Sequence, residues 1–310
     1  AEALKKIIAD HVLWEKYSAN GILATSHLYS WTAHSNKYMD NIDNLFRRKD
    51  TDAPAFVNKT AFGKKLAKAQ QFIISDLDGT LVEGNQSEGL YELKQWIVDH
   101  KDQVVFGVAS GRNREITEQA FAKYDLPSPD VLICSAGSEI YYTKKFIPDN
   151  GWESHIDYQW KRKELQNELL KFPGIRLQEP AAQWRFKLSY YVDDSFDNDD
   201  MANLYKFLDD RKLRAKILLT ENKFLDFLPF RASKGNAVRY LSYKWKVPLE
   251  HFITAGNSGN DKDMLTGKAK GIVVANYSPE LEELRKNKFI YFTKYPLSKG
   301  VLEGINYHLS

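Results

Sequence analysis

Five short apolar runs constrain this chain more than any other feature of it. Phe72-Ile73-Ile74 runs into Ser75-Asp76, and Val104-Val105-Phe106-Gly107-Val108-Ala109 runs into Ser110-Gly111. Val131-Leu132-Ile133-Cys134 is a third, and Phe252-Ile253-Thr254-Ala255 and Gly271-Ile272-Val273-Val274-Ala275 come late in the sequence. Helical patterns, for example over residues 88–100 and 113–124, separate most of them. A strand that is apolar at every position needs cover on both faces. Strands alternating with helices find that cover in a parallel sheet. Ligands of such sheets sit at the C-terminal ends of the strands.

Between about residues 151 and 227 the pattern differs. A charged helix (about 158–171) is followed by an extended piece (175–178) and an alternating strand (185–192). A helix (198–211) and two strands (215–219 and 223–227) complete a second round. Helix–strand–strand twice over describes a small α+β cap inserted into the sheet domain. Upstream, Leu4, Ile7, Ile8, His11, Val12 and Trp14 recur at helical spacing, and a second helix is expected from about 31 to 46. Tyr17, Tyr29, Trp31 and Tyr38 are more aromatic surface than a short helical pair can bury, so a neighbour outside this chain is expected. The expected fold is α/β, a Rossmann-like parallel sheet core with an inserted α+β cap and an N-terminal helical extension. Its expected parts are the extension (1–48), a linker (49–68), the core (69–150 and 228–310) and the cap (151–227).

Composition excludes several classes. At 310 residues the chain is long enough for about two domains. Lys and Arg total 44 against 41 Asp and Glu, a net charge of +3, too near balance for nucleic-acid binding through bulk charge. The single Cys134 rules out an internal disulfide and a Cys-rich zinc site, and fits a reducing compartment. No apolar run approaches the ~20 residues that span a bilayer, and the N-terminus has no secretory core. The expected location is the cytoplasm, with neither nucleic acid nor membrane as partner. The chain opens at Ala1 without Met, as a fragment of a longer protein or a processed product would.

The string with chemistry in it is Ser75-Asp76-Leu77-Asp78-Gly79-Thr80-Leu81-Val82. Residues two apart in an extended segment point the same way, so both carboxylates can face one site. A turn at Gly79 would offer backbone N–H groups to an anion. A carboxylate nucleophile and a second carboxyl as proton donor make a phosphoryl-transfer pair. The plainer alternative is an Asx turn with solvated acids, which an isolated Asp-x-Asp would favour.

Asp76-x-Asp78-x-Thr80 resembles the nucleophile motif of the haloacid-dehalogenase superfamily of phosphatases. The superfamily's other elements follow in order: Ser110-Gly111-Arg112 after the second strand, Lys234 in Ala232-Ser233-Lys234-Gly235, and Gly256-Asn257-Ser258-Gly259-Asn260-Asp261 after a later strand. Cys134 through Tyr142, Pro148-Asp149-Asn150-Gly151-Trp152, Phe186-Lys187-Leu188-Ser189-Tyr190, Leu225-Asp226-Phe227-Leu228-Pro229 and Gly300-Val301-Leu302-Glu303-Gly304-Ile305 narrow the likeness to the sucrose-6-phosphate phosphatase family. Trp14-Glu15-Lys16-Tyr17-Ser18 and Tyr29-Ser30-Trp31-Thr32-Ala33-His34 are similar to the C-terminal helices of sucrose-phosphate synthase glycosyltransferases. Together these strings imply the phosphatase end of a bifunctional chain, with a glycosyltransferase domain as partner in the same parent protein.

The resemblance implies roles. Asp76 would be the nucleophile and Asp78 the acid and base, with Lys234 stabilising transition-state charge. Thr80, Ser110, Gly111, Lys234 and Asn260 would hold phosphate. Asp76, Asp78 through its backbone carbonyl, Asn257 and, in support, Asp261 would form a magnesium site. Lys187 would meet the sugar from the cap, the alternative being an outward lysine on an edge strand. Arg112 would meet the phosphate or sugar, the alternative being a pair with a helix carboxylate. Asn257 departs from the family pattern, which carries Asp there; an amide oxygen is still a hard donor but lacks the charge. The rival to an active phosphatase is a weakly active or non-catalytic module that regulates or stabilises a linked glycosyltransferase.

Overall fold

The computed structural model describes residues 2–27, 30, 61–142, 145–220 and 222–310. The chain divides into two compact units, Ala1–Thr60 and Ala61–Ser310.

In the first unit Glu2–Ala9 and His11–His27 are helical. Asp10 separates them, and its carboxylate accepts the Leu13 N–H to cap the second helix. Ile8, Val12, Trp14, Tyr17 and Ile22 are exposed. The helix expected over 31–46 lies outside the described residues. No helix among the described residues is long and apolar enough to cross a membrane.

The linker expected as far as residue 68 stops short of that. Ala61–Lys68 is a helix at the start of the second unit. Leu66 is fully buried in the same cluster as Phe72 and Phe252. Lys64, Lys65 and Lys68 surround that leucine, which leaves too thin an apolar stripe for periodicity to register.

The described strands of this unit are β1 (Gln71–Asp76), β2 (Val104–Ala109), β3 (Val131–Cys134), β4 (Glu139–Tyr142), β5 (Ile147–Pro148), β6 (Ile175–Leu177), β7 (Leu188–Val192), β8 (Ala215–Thr220), β9 (Phe224–Pro229), β10 (Phe252–Gly256), β11 (Lys270–Val273) and β12 (Ile290–Phe292). The main sheet has the order β12-β11-β10-β1-β2-β3-β4-β5. β12 through β3 run parallel, and β4 and β5 extend the edge antiparallel. Alternate residues of β1 enter opposite layers. Phe72 and Ile74 meet a cluster with Ala237, Val238 and Leu241 of the helix Lys234–Trp245. Ile73 meets one with Leu93 of Leu90–Asp99 and with Val301 and Ile305 of Leu297–Leu309. Both faces are therefore dry, which is why these strands read as unbroken apolar runs.

The cap is the antiparallel sheet β6-β7-β9-β8. Leu188, Tyr190, Leu225 and Phe227 turn one face toward Leu165 and Leu169 of Arg162–Leu169 and Leu204 and Leu208 of Asn198–Asp210. The second of these helices begins with a capping box between Asp197 and Asp200, a feature that contributes about 1 kcal/mol. The cap was expected to begin at residue 151, but the helix Asn150–Ile156 belongs to the core. Its Trp152 and Ile156 are fully buried in the cluster that holds Phe72. At the far end β9 runs to Pro229, two residues past the expected boundary.

Candidate active site

The carboxyl end of β1 delivers Asp76 to the centre of the sheet's C-terminal edge, 5% exposed. The chain then turns sharply, with Gly79 N–H donating to the Val82 carbonyl at 2.8 Å. Gly79 has φ +75°, and a Cβ on it would lie 2.3 Å from the Asn257 amide nitrogen. Glycine is thus required twice, for the conformation and for the approach of the loop after β10. The i, i+2 spacing puts Asp78 in the same cleft as Asp76.

Lys234 is the first residue of its helix, whose N-cap Ser233 accepts the Asn236 N–H. Its ammonium lies 2.6 Å from Asp76 Oδ1, 2.7 Å from Asp261 Oδ1 and 3.3 Å from Asn260 Oδ1. Thr80 Oγ1 lies 3.0 Å from Asp76 Oδ2 and 3.1 Å from Asn257 Oδ1, so a carboxylate and an amide oxygen converge on one hydroxyl. Two buried carboxylates face one buried ammonium. Burial pushes Asp76 up to about 7, Asp261 adds to the rise, and Lys234 opposes it. Burial also works against the Lys234 charge, but Asp261 and Asp76 hold its pKa above the ordinary lysine value. Removing this lysine would strand two buried acids, at a cost of roughly 3–5 kcal/mol.

Asp261 was expected to support a metal shell. Both of its oxygens are in use: Oδ1 takes Lys234, and Oδ2 takes the N–H groups of Asn257 and Ser258, each at 3.1 Å. It anchors the loop that carries Asn257. Asp78 is held by Arg112 in a two-pronged pair, Nε to Oδ2 at 2.8 Å and Nη2 to Oδ1 at 2.7 Å. Ser110 is fully buried, and its hydroxyl accepts the Arg112 N–H at 3.1 Å, which fixes the turn that aims the guanidinium.

Asp76, Asp78, Gly111, Arg112 and Asn260 form the core side of a cleft of about 550 Å³. Lys187, Gln178, Phe224 and Asp226 form its cap side. Lys187 pairs with Asp226 at 2.9 Å. Asn257 borders a second cleft, which shares Asp78 and Asn260 with the first. Gln178, Thr220, Phe224 and Asp226 were not anticipated as cleft residues. Phe224 and Asp226 alternate with the buried Leu225 and Phe227, a signal that was present in the sequence.

The oxygen donors suit a hard divalent cation. Among the described residues no three His, Cys, Asp or Glu side chains form a metal-ligand group. A cation here would be held by one or two carboxylates, an amide oxygen and a substrate phosphate. The excess of acid over base around Asp76 leaves room for such a charge.

A family profile described as sucrose-6F-phosphate phosphohydrolase matches residues 69–309, most of the chain. The chain belongs to the sucrose-6F-phosphate phosphohydrolase family. Sucrose-phosphatase 2 of Nicotiana tabacum is 34% identical over 251 residues, 77% of this chain and 59% of that protein. The chain thus spans little more than half the length of that relative. Mannosylfructose-phosphate phosphatase of Agrobacterium fabrum is 25% identical over 77% of this chain and 97% of its own length. Among solved structures, the sucrose-phosphatase of Synechocystis in complex with sucrose and phosphate superposes with a TM-score of 0.71 at 28% identity. It covers 77% of this chain and 98% of that one.

Proposed function

We propose that the chain is a magnesium-dependent phosphatase that hydrolyses sucrose 6-phosphate to sucrose and phosphate. The observation that carries this reading is the buried Asp76 bracketed by Lys234 and Thr80, with Asp78 beside it at the floor of a cleft roofed by polar cap side chains. An Asp76 oxygen attacks phosphorus as the bond from phosphorus to the sugar oxygen breaks, giving an aspartyl-phosphate. Asp78 gives its proton to the departing sugar oxygen. It then takes one from the water that attacks phosphorus and frees Asp76.

Two unit charges ~4 Å apart at an effective dielectric of ~20 repel by ~4 kcal/mol, so the approach of phosphate to Asp76 needs nearby cations. Lys234 supplies one. Phosphate entering the cleft competes with Asp78 for Arg112, and so releases the carboxyl that must carry the proton. Asp76, Asn257 and the Asp78 backbone carbonyl would hold magnesium, which supplies charge neutralisation and orientation when bound. Asp261 and Lys234 keep that arrangement in register. Gly111 and Asn260 complete the phosphate cradle, and Lys187, held by Asp226, meets the sugar. The single buried Cys134 is consistent with the cytoplasm as its compartment.

The N-terminal unit is read as a contact to a glycosyltransferase domain, a reading supported by the strings at 14–18 and 29–34 and by exposed Val12, Trp14 and Tyr17. The deciding experiment is phosphate release from sucrose 6-phosphate, with and without magnesium, beside mannosylfructose phosphate. Rapid magnesium-dependent release from the sucrose ester supports the reading. No release from either ester would leave the regulatory module as the better account.

A further inference from the structure

Asp149 has no part in the chemistry just described, yet it is among the most heavily bonded side chains in the protein. It is 2% exposed. Its carboxylate accepts from the hydroxyls of Tyr142 and Tyr240, from the Lys244 ammonium at 2.6 Å and from the Trp152 N–H at 3.1 Å. Tyr240 and Lys244 lie on the helix Lys234–Trp245, whose first residue is the active-site lysine. Trp152 lies on the core helix Asn150–Ile156.

Trp152 continues the chain of contacts. Its indole N–H donates to the Gly137 carbonyl at 3.1 Å. Gly137 has φ +96°, and a Cβ there would lie 2.1 Å from the Ser233 carbonyl carbon and 2.4 Å from the Lys234 nitrogen. The Gly137 backbone is therefore a stop against which the helix begins. One end of that helix abuts Gly137, and Asp149 grips it further along through Tyr240 and Lys244. Those two constraints fix its position along its axis and its rotation.

We propose that Asp149 is a positioning residue for phosphate. Through Tyr240 and Lys244 on one side, and Trp152 and Gly137 on the other, it holds the Lys234 helix where its ammonium meets Asp76. This rests on the reading of the site as a phosphate-ester hydrolase. It goes beyond that reading in assigning phosphate affinity to a buried group behind the sheet edge. A buried carboxylate with four donors is stiff, and small displacements of a catalytic group are costly in rate.

The test uses Tyr240→Phe and Lys244→Met in the full chain. Each removes one donor. Tyr240→Phe keeps the Lys244 charge opposite the buried carboxylate and is expected to keep the fold, so it carries the test. Lys244→Met leaves that carboxylate without its cation and is expected to melt lower. Thermal melting checks that both variants are folded at the assay temperature. The probes are inorganic phosphate and sucrose, each bound to the protein in calorimetry, together with kcat and KM on sucrose 6-phosphate. Phosphate affinity and kcat are expected to fall about three- to tenfold in each variant, with sucrose affinity unchanged. A merely structural role would lower the melting temperature and leave phosphate affinity within twofold of the unaltered chain, which would overturn the proposal. Loss of sucrose affinity in place of phosphate affinity would overturn it as well, since Asp149 would then act through the cap. Failure of the unaltered chain to hydrolyse sucrose 6-phosphate would count against the functional reading, while the phosphate calorimetry would still decide this one.

Discussion

The floor and the roof of the cleft are built differently. On the floor, Asp76, Lys234 and Asp261 are buried, mutually bonded and anchored to the strand ends of a sheet with apolar cover on both faces. On the roof, Lys187 and Asp226 are partly exposed, and their partners are one another. Buried charge networks hold one geometry because any other arrangement leaves a charge unpaired. An isolated pair such as Lys187–Asp226, still 16% and 17% exposed, has one contact to give up and rearranges more readily than that network. On the proposed function the difference amounts to a division of labour, with rigid phosphate chemistry below and adjustable sugar selection above.

The largest effect should come from the floor. Asp76→Asn is expected to lower phosphate release by at least about a thousandfold on any ester, because an amide does not form the acyl phosphate. Appreciable residual turnover in a phosphate-release assay would remove Asp76 as nucleophile. Asp78→Asn should follow, with a loss of about 10²–10⁴ in kcat on sucrose 6-phosphate. On nitrophenyl phosphate, whose leaving group needs no proton, the first step should suffer much less. Equal loss on the two esters, measured as a burst of nitrophenol against sugar release, would deny the acid role.

The roof should respond in KM. Lys187→Met is expected to raise KM for sucrose 6-phosphate about tenfold while leaving that for nitrophenyl phosphate near its original value. A similar rise on both esters would move Lys187 to the phosphate and blur the division between floor and roof. The smallest effect concerns the metal. Asn257→Asp restores a charge among hard oxygen donors, so magnesium binding followed by calorimetry should tighten by a few-fold. Unchanged or weaker binding would place Asn257 off the metal.

The floor was legible in the sequence because each part falls at the end of an apolar run. Asp76 ends β1 and Ser110 follows β2, while Asn257 through Asp261 follow β10. The partners were not legible. Nothing local to Asp78 announces Arg112, 34 residues on, as the group that grips it. Asp261 looks like a ligand in a motif, but two backbone N–H groups and a lysine use both of its oxygens. On the roof, the alternation of Phe224, Leu225, Asp226 and Phe227 tells that two faces exist. It does not tell which one meets the core, because that depends on how an inserted sheet docks. Trp152 was assigned to the cap by its place in the sequence, whereas its indole bonds to Gly137 in the core.

The most direct measurement traps the intermediate. Asp78→Asn protein is mixed with nitrophenyl phosphate and magnesium, quenched in acid and mapped by peptide mass. The good leaving group lets Asp76 be phosphorylated, and the missing base leaves the acyl phosphate unhydrolysed. The expected result is one phosphoryl group on the peptide that contains Asp76. Nitrophenol release with no phosphorylated peptide would contradict the account, for phosphate would then pass directly to water and the buried floor would serve only to bind it.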